Sequence, residues 1–348
     1  MSSQPEGRKP KDREFLRTRE GMFFCVTGYL HPPERYTAYL KYSPDPLGKW
    51  RDAETAYRRE LPYYHVRNVA ETIGYLEQHY PWHVHYCPVR DIRFSMVHRD
   101  YVACYYDPQE RLAEILAGPH DSLEEEVCGL TIEIAACAGI EPDVLGITGS
   151  VLIGLHNPVF SDIDLLVYGL ENVWKVREAL SAGDSPHIRQ PDVEFVARWT
   201  RRIAERFPLT LEEARYFAGR RWNYGFYGER YFSLHPTRTD AEITEQYGDH
   251  IYRSAGAARI WAIVTEAGEA LFLPATYRVE SVRVLEGDAR AAQVREIVSY
   301  EGIYCDIAGA GQEIEAQGKL ESVDGEPRRL VIGTTQLAGA EYIKPAGD

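Results

Sequence analysis

Long apolar runs are missing from this 348-residue chain. No stretch approaches the roughly 18 consecutive apolar residues that a membrane-spanning helix needs. The first dozen residues are polar and partly basic, without the apolar segment typical of a signal peptide. We therefore expect a disordered tail over residues 1–13, no association with a membrane and a cytoplasmic location.

Closely paired cysteines are also missing. The chain contains no Cys-x-x-Cys sequence, and its six scattered cysteines are Cys25, Cys87, Cys104, Cys128, Cys137 and Cys305. This spacing predicts reduced, mostly buried thiols rather than disulfides or a structural zinc site. His83-Val84-His85 could place two imidazoles on one face of a strand, but without a third ligand nearby an aromatic-rich patch is the favoured interpretation.

Positive charge is in deficit. The chain has 39 Lys and Arg against 53 Asp and Glu, which gives a net charge of −14. This balance argues against broad, sequence-independent binding to nucleic acid, because such binding depends on neutralising phosphates. A local basic patch stays open, since the helix predicted from Asp192 to Phe207 carries four arginines that could contact an RNA or nucleotide acceptor. Two glutamates on the same segment favour an exposed, salt-bridged face instead.

The most informative segment that is present is Asp162-Ile163-Asp164. The aliphatic residues around Asp164 predict a buried strand, and side chains two positions apart on a strand share one face. Two adjacent carboxylates repel each other, and a cation between them relieves that repulsion. Mg²⁺ or Mn²⁺ suits such oxygen ligands, with water and substrate phosphate completing the coordination shell.

A glycine turn precedes these carboxylates. Leu145 to Thr148 predicts a short strand, and Gly149-Ser150 predicts a turn into a helix that begins near Val151. Glycine allows the backbone to approach a phosphate closely, and the free amides at the start of a helix favour an anion. The whole segment therefore predicts a site for phosphate and metal.

These residues resemble the nucleotidyltransferase domains of the DNA polymerase β superfamily. The resemblance is carried by a glycine-serine turn, a second glycine and a Ser-Asp-x-Asp sequence before an aliphatic strand, namely Gly149, Ser150, Gly154, Ser161, Asp162 and Asp164. The whole chain also resembles predicted archaeal and bacterial nucleotidyltransferases with N-terminal and C-terminal extensions.

The resemblance implies transfer of a nucleoside monophosphate from a nucleoside triphosphate to an acceptor hydroxyl, with release of pyrophosphate. The acceptor could be an RNA end, a protein or a small molecule. Asp162 and Asp164 would be catalytic and would hold Mg²⁺ or Mn²⁺. The two glycines and two serines of the motif would bind the nucleotide.

Two elements of the family pattern lack a clear counterpart. Related enzymes carry a basic residue where this chain has Val151-Leu152-Ile153, so the triphosphate charge must be met elsewhere. A third carboxylate, generally supplied by a neighbouring strand, has no clean copy either. The strand predicted from Glu229 to His235 offers either of its end residues as the third metal ligand, and Asp240 or Glu242 could reach in from beyond it.

The alternatives are a solvated Glu229 and a merely hydrogen-bonded His235, so the third ligand stays open. Arginines near this strand could hold the departing pyrophosphate through bidentate contacts, and they are Arg220, Arg221 and Arg230. An ordinary charged surface is the alternative for all three.

The pattern of elements predicts an α+β protein in three consecutive regions. Residues 14–121 form a strand-led α/β region with a helix at Val66 to His79, and residues 122–248 form the nucleotidyltransferase domain on a mixed sheet. Residues 249–345 form a small antiparallel β-barrel, for which an OB-like form is one expectation. Its strands are predicted at Ala258 to Thr265, Ala270 to Pro274, Tyr277 to Leu285, Glu313 to Val323 and Arg328 to Gly333.

Two further functions stay open beside catalysis. The missing basic residue and the unassigned third carboxylate favour a nucleotide-binding module that lacks catalysis. The two flanking regions without a catalytic motif favour a scaffold or interaction protein.

Overall fold

The computed structural model describes residues 10–61, 63, 65–183, 185–337 and 339–346. Helices and strands both contribute substantially, so the α+β expectation is confirmed. Over these residues, none of the helices has both the length and the apolar character that crossing a membrane requires.

Helices and strands are numbered separately in chain order. The helices are α1 (Val66–His79), α2 (Pro108–Ala117), α3 (Ser122–Ala138), α4 (Gly149–Leu152), α5 (Leu170–Ala182), α6 (Val193–Arg206) and α7 (Leu211–Gly219). The strands are β1 (Phe15–Thr18), β2 (Phe23–Val26), β3 (Arg35–Pro44), β4 (Trp50–Arg51), β5 (Ala56–Arg59), β6 (Val84–Cys87), β7 (Ile92–His98), β8 (Val102–Tyr106), β9 (Leu145–Ile147), β10 (Ile163–Tyr168), β11 (Ile188–Arg189), β12 (Tyr224–Tyr227), β13 (Arg230–Thr237), β14 (Tyr252–Glu266), β15 (Ala275–Gly287), β16 (Glu296–Ser299), β17 (Glu313–Val323), β18 (Glu326–Ile332) and β19 (Tyr342–Pro345).

The chain folds into two compact units. Unit 1 takes the described residues of 1–62, 95–191 and 222–244, and unit 2 takes those of 63–94, 192–221 and 245–348. This grouping differs from the three consecutive regions predicted from the sequence. The difference arises because each unit is assembled from three separate segments of the chain. Local sequence patterns do not predict such long-range grouping.

Unit 1 contains a mixed five-stranded sheet in the order β11-β12-β13-β10-β9. Strand β10 runs parallel to β13 and antiparallel to β9. Its apolar residues Ile163, Leu165 and Val167 are fully buried, as expected of a central strand. Helix α5 packs on β10 and β13 and contacts α3, so helices cover one face of the sheet.

A second sheet in unit 1 has the order β4-β5-β3-β2-β1-β8, and the last residues of β7 also pair with β3. Leu152, Ile153 and Leu155, at the end of α4 and just after it, are buried in one cluster with Phe23 and Tyr57 of this sheet. Leu152, Ile153 and Leu155 therefore hold α4 against the second sheet.

Unit 2 is built on strands that pair in a closed ring, β14-β15-β16-β18-β17 and back to β14. The β16–β18 pair is parallel, and the other pairs in the ring are antiparallel. Alternate residues of β14 point into the core, and these are Ala258, Ile260, Ala262 and Val264. Phe207 and Phe217, from the segment containing α6 and α7, belong to the same core.

Several predicted elements occur where the sequence placed them. Helix α1 spans Val66–His79, and α3 begins at Ser122, where the Asp121 carboxylate accepts hydrogen bonds from the first-turn amides. The strand predicted from Ala270 to Pro274 is wrong, because this segment begins as a 3₁₀ turn over Gly268–Leu271. A short buried apolar run does not distinguish the two forms. Strands β16 and β19 were not predicted.

Candidate functional site

Asp162 directly precedes β10, and Asp164 is the second residue of that strand. The side chains between and after them, Ile163 and Leu165, are fully buried and share one face of the strand. Asp162 and Asp164 therefore share the opposite face. Asp164 is level with Ser233 on the parallel neighbour β13, which brings the Ser233 side chain to the same face.

Asp164 is held by a hydrogen-bond network from β13. The Ser233 hydroxyl donates to Oδ1 of Asp164 and also contacts Nε2 of His235 at 2.8 Å. His235 Nε2 lies 3.9 Å from the same Asp164 oxygen. Burial would raise the pKa of Asp164, but His235, Lys41 and Ser233 together hold it below its ordinary value.

The pKa of His235 is lowered as well. Burial and the charge of Arg13 lower the pKa of His235 to about 4, although the nearby Asp164 opposes that shift. The imidazole is therefore neutral at pH 7, and with its proton on Nε2 it donates to the Ser233 hydroxyl, whose own proton goes to Asp164.

Asp162 as a whole residue is exposed to solvent. Its carboxyl group is nevertheless surrounded by enough protein atoms to be partly desolvated. This desolvation and the charge of Asp164 raise the pKa of Asp162 to about 6, against the opposing charges of Arg230 and Arg59. Over the described residues, no group of three or more His, Cys, Asp or Glu side chains is arranged to hold a metal. Two mutually repelling carboxylates nevertheless fit Mg²⁺, which needs only one or two when substrate phosphate supplies further oxygens.

The turn that precedes α4 packs closely against Asp164. The Thr148 amide donates to the Asp164 carbonyl at 2.8 Å. Gly149 has a φ of +69°, and a Cβ at this position would lie 2.6 Å from Oδ2 of Asp164. Glycine is required there for both reasons, and it places the backbone of Gly149-Ser150 directly beside a carboxylate.

Replacing Gly149 by alanine is expected to displace Asp164 and to destabilise unit 1 by about 1–3 kcal/mol. Gly154 has the same φ of +69° but nothing within 4 Å of an added Cβ, so Gly154→Ala isolates the backbone cost. Chemical denaturation of both variants measures the difference. Equal losses of stability would show that the contact with Asp164 does not constrain the turn.

Three cationic side chains outside the five-stranded sheet act electrostatically on the aspartates and on His235. Lys41 on β3 is buried, and its charge lowers the pKa of Asp164. Arg59 ends β5 and acts in the same way on Asp162, while Arg13 acts on His235. Sequence reasoning missed all three, and the one available signal was a lysine inside the otherwise apolar and aromatic run of β3.

Arg230 holds the loop before β10. Its Nε donates to Glu126 at 2.7 Å, and its two terminal nitrogens donate to the carbonyls of Ser161 and Pro158 at 3.0 and 2.8 Å. Ser161 is buried, and its hydroxyl accepts from the Asn157 amide at 2.9 Å. Arg230 and Ser161 therefore position Asp162 through the backbone, whereas the sequence predicted direct nucleotide contacts for both.

The other candidates for the third ligand have structural partners away from the aspartates. The Glu229 side chain is 96% exposed and pairs with Arg189 at 3.3 Å, which fits the alternative of a solvated residue beside the strand. Asp240 pairs with Lys11 at 3.0 Å, and Glu242 accepts from the Leu170 amide at 2.7 Å.

Arg220 and Arg221 belong to unit 2, whereas the aspartates belong to unit 1. Arg220 donates to the Asp306 carbonyl at 3.3 Å, and Arg221 lies over the Trp199 ring at 5.0 Å. Their contact with pyrophosphate stays a prediction.

The chain is 31% identical to the uncharacterized protein MJ1086 of Methanocaldococcus jannaschii over 355 aligned residues. The alignment covers 97% of this chain and 99% of the relative. No protein-family model matches the chain, and no solved structure matches it.

Proposed function

The chain belongs to the family of the Methanocaldococcus jannaschii protein MJ1086, and we propose that it is a Mg²⁺-dependent nucleotidyltransferase. In this proposal a nucleoside monophosphate passes from a nucleoside triphosphate to an acceptor hydroxyl, and pyrophosphate leaves. The observation that carries the proposal is the contact between Gly149 and Asp164, which joins a glycine-serine turn to paired carboxylates.

The phosphate chain would lie over Gly149-Ser150, with Lys41 and Arg59 balancing its charge. Helix α4 is a single turn, so its dipole contributes little and the side-chain cations carry more of the attraction. Mg²⁺ bound to Asp162 and Asp164 would neutralise phosphate charge and lower the pKa of the acceptor hydroxyl. Ser233 fixes the Asp164 rotamer by its hydrogen bond, and Arg230 holds the segment that presents Asp162.

The ring of unit 2 supports an OB-like barrel in this proposal. Five strands close on themselves, and the third and fifth of them in chain order, β16 and β18, pair in parallel. OB folds bind many kinds of ligand, so the architecture by itself identifies none. An RNA end is the acceptor to test first, beside a protein hydroxyl and a small molecule.

Pyrophosphate release tests the proposed reaction. The four ribonucleoside triphosphates are assayed singly with Mg²⁺ or Mn²⁺, with and without bulk cellular RNA, and with a chelator as the blank. We expect release that requires the metal and disappears in Asp162→Asn/Asp164→Asn. Unchanged release in that double variant would refute the proposal.

A nucleotide-binding module without catalysis is the second candidate. It is favoured by Ser233, an uncharged residue, at the β13 position level with Asp164. It predicts that a triphosphate raises the melting temperature while no pyrophosphate appears under any condition. Metal-dependent release would exclude it.

Lys41→Met is expected to weaken triphosphate binding by about tenfold or more, because one charge-assisted contact to phosphate is lost. Methionine retains most of the side-chain volume at this buried position. Calorimetric titration with a non-hydrolysable triphosphate measures the change. Lys175→Met, on the exposed face of α5, is the matched control, and equal affinities in the two variants would remove Lys41 from the site.

A further inference from the structure

Aromatic side chains continue the face of the sheet that carries the aspartates. Tyr224 on β12 pairs with Ser233, and Phe226 pairs with Tyr231, so these residues share the face of Asp164. The rings of Tyr224 and Tyr231 stack with centroids 6.1 Å apart and planes at 29°. We call Tyr224, Phe226 and Tyr231 the aromatic strip.

The aromatic strip is continuous with the aspartate network. The rings of Tyr224 and His235 form an edge-to-face contact with centroids 6.4 Å apart. His235 in turn contacts Ser233, which donates a hydrogen bond to Asp164. At the other end, Arg189 lies 4.4 Å over the Phe226 ring. The three rings are half-buried, so each keeps accessible surface beside the carboxylates.

The order of strands separates two sides of β10. Gly149-Ser150 follows β9 on one side, and β13 and β12 with the aromatic strip lie on the other. In phosphoryl transfer the attacking and leaving oxygens lie roughly in line. If pyrophosphate leaves over Gly149-Ser150, the acceptor hydroxyl must arrive from the side of the aromatic strip.

We propose that the aromatic strip stacks an unpaired nucleobase at the end of a nucleic acid strand, which presents its terminal hydroxyl as the acceptor. This inference rests on the proposed function for its chemistry, but the binding step can be measured without it. Stacking on aromatic rings tolerates any base, since every base offers a π face. Arg189 pairs with Glu229, and the chain carries a net charge of −14. The site therefore suits one terminal nucleotide rather than a long phosphate backbone, and the salt dependence should be shallow.

The test uses an RNA pentamer with 2-aminopurine at its 3′ end, whose fluorescence falls when the base stacks. The full-length protein is titrated without triphosphate or metal. We expect quenching by wild type, and a dissociation constant raised about tenfold or more in Tyr224→Leu. Tyr224→Phe keeps a ring and should bind like wild type, and so should Trp261→Leu, which alters an aromatic residue on β14 in unit 2. Melting temperatures confirm that each variant is folded.

Absence of quenching in wild type, or equal affinity in Tyr224→Leu, would overturn the inference. A DNA pentamer of the same sequence shows whether the 2′-hydroxyl of the sugar contributes to binding. Tighter binding of either the RNA or the DNA pentamer supports the assignment. A free 2-aminopurine riboside that binds as tightly as the strands would overturn the strand-end assignment in favour of a small acceptor. A last outcome separates the two proposals. If Asp162→Asn/Asp164→Asn still quenches the fluorescence and wild type releases no pyrophosphate, the base-binding role of the aromatic strip is supported and the proposed reaction is refuted.

Discussion

Asp164→Asn is expected to reduce pyrophosphate release by at least about a thousandfold, which corresponds to about 4 kcal/mol of transition-state stabilisation. Asp164 is the more strongly fixed of the two carboxylates, because Ser233, His235 and the Gly149 turn all contact it. Its pKa lies below the ordinary range, so it is ionised throughout the pH range of an assay. The amide of the variant can still accept from Ser233, so the loss reports charge rather than fold.

The matched control is Glu229→Gln, which removes a carboxylate from the exposed end of the β12–β13 hairpin. Its turnover should stay within about twofold of wild type, as for surface substitutions away from a site. Initial rates at saturating triphosphate and Mg²⁺ measure both variants. Turnover in Asp164→Asn equal to that of Glu229→Gln would refute a metal role for Asp164.

Glu301→Gln is expected to flatten the pH dependence of the stability of unit 2. Glu301 is buried, and desolvation together with the charge of Glu341 raises its pKa to about 8, although it accepts a hydrogen bond from the Val66 amide at 2.8 Å. The folded state therefore holds a proton that the unfolded chain loses near pH 4.5. Stability is greatest below that pH and falls by up to about 1.4 kcal/mol per pH unit until the pH passes about 8.

Neighbouring groups modify this slope. The pKa of Glu341 is raised by burial and adds to the fall in stability. His65, 4.0 Å from Glu301, has a pKa lowered by burial and by Arg67, so it reduces stability as the pH falls below about 6.5. The window from pH 6.5 to 8 therefore isolates the carboxyl groups. Denaturant unfolding in that window measures the slope, with the exposed Glu326→Gln as control. An unaltered slope in Glu301→Gln would contradict the assignment.

The sequence predicted the elements with strong local signals. A helix was predicted near Val66 to His79, where α1 lies, and apolar residues at helical spacing after Ser122 predicted α3. The predicted strands Glu313 to Val323 and Arg328 to Gly333 are joined by a turn at Asp324-Gly325, where both residues have positive φ as a tight hairpin requires. The short β16 and β19 escaped prediction because strands of four residues carry too little periodicity.

For the candidate site, too, local features were predicted from the sequence and long-range contacts were not. The sequence by itself placed Asp162 and Asp164 on one strand face and identified Gly149-Ser150, because strand periodicity and glycine conformation are local properties. Only the tertiary structure brought the charges of Lys41 and Arg59 to bear on those carboxylates. It also placed His235 rather than Glu229 beside Asp164, and it aligned Tyr224 and Tyr231 on the same face. These contacts join residues that are far apart in the chain. They depend on sheet register and side-chain packing, which the whole fold sets and which produce no periodic pattern in the sequence.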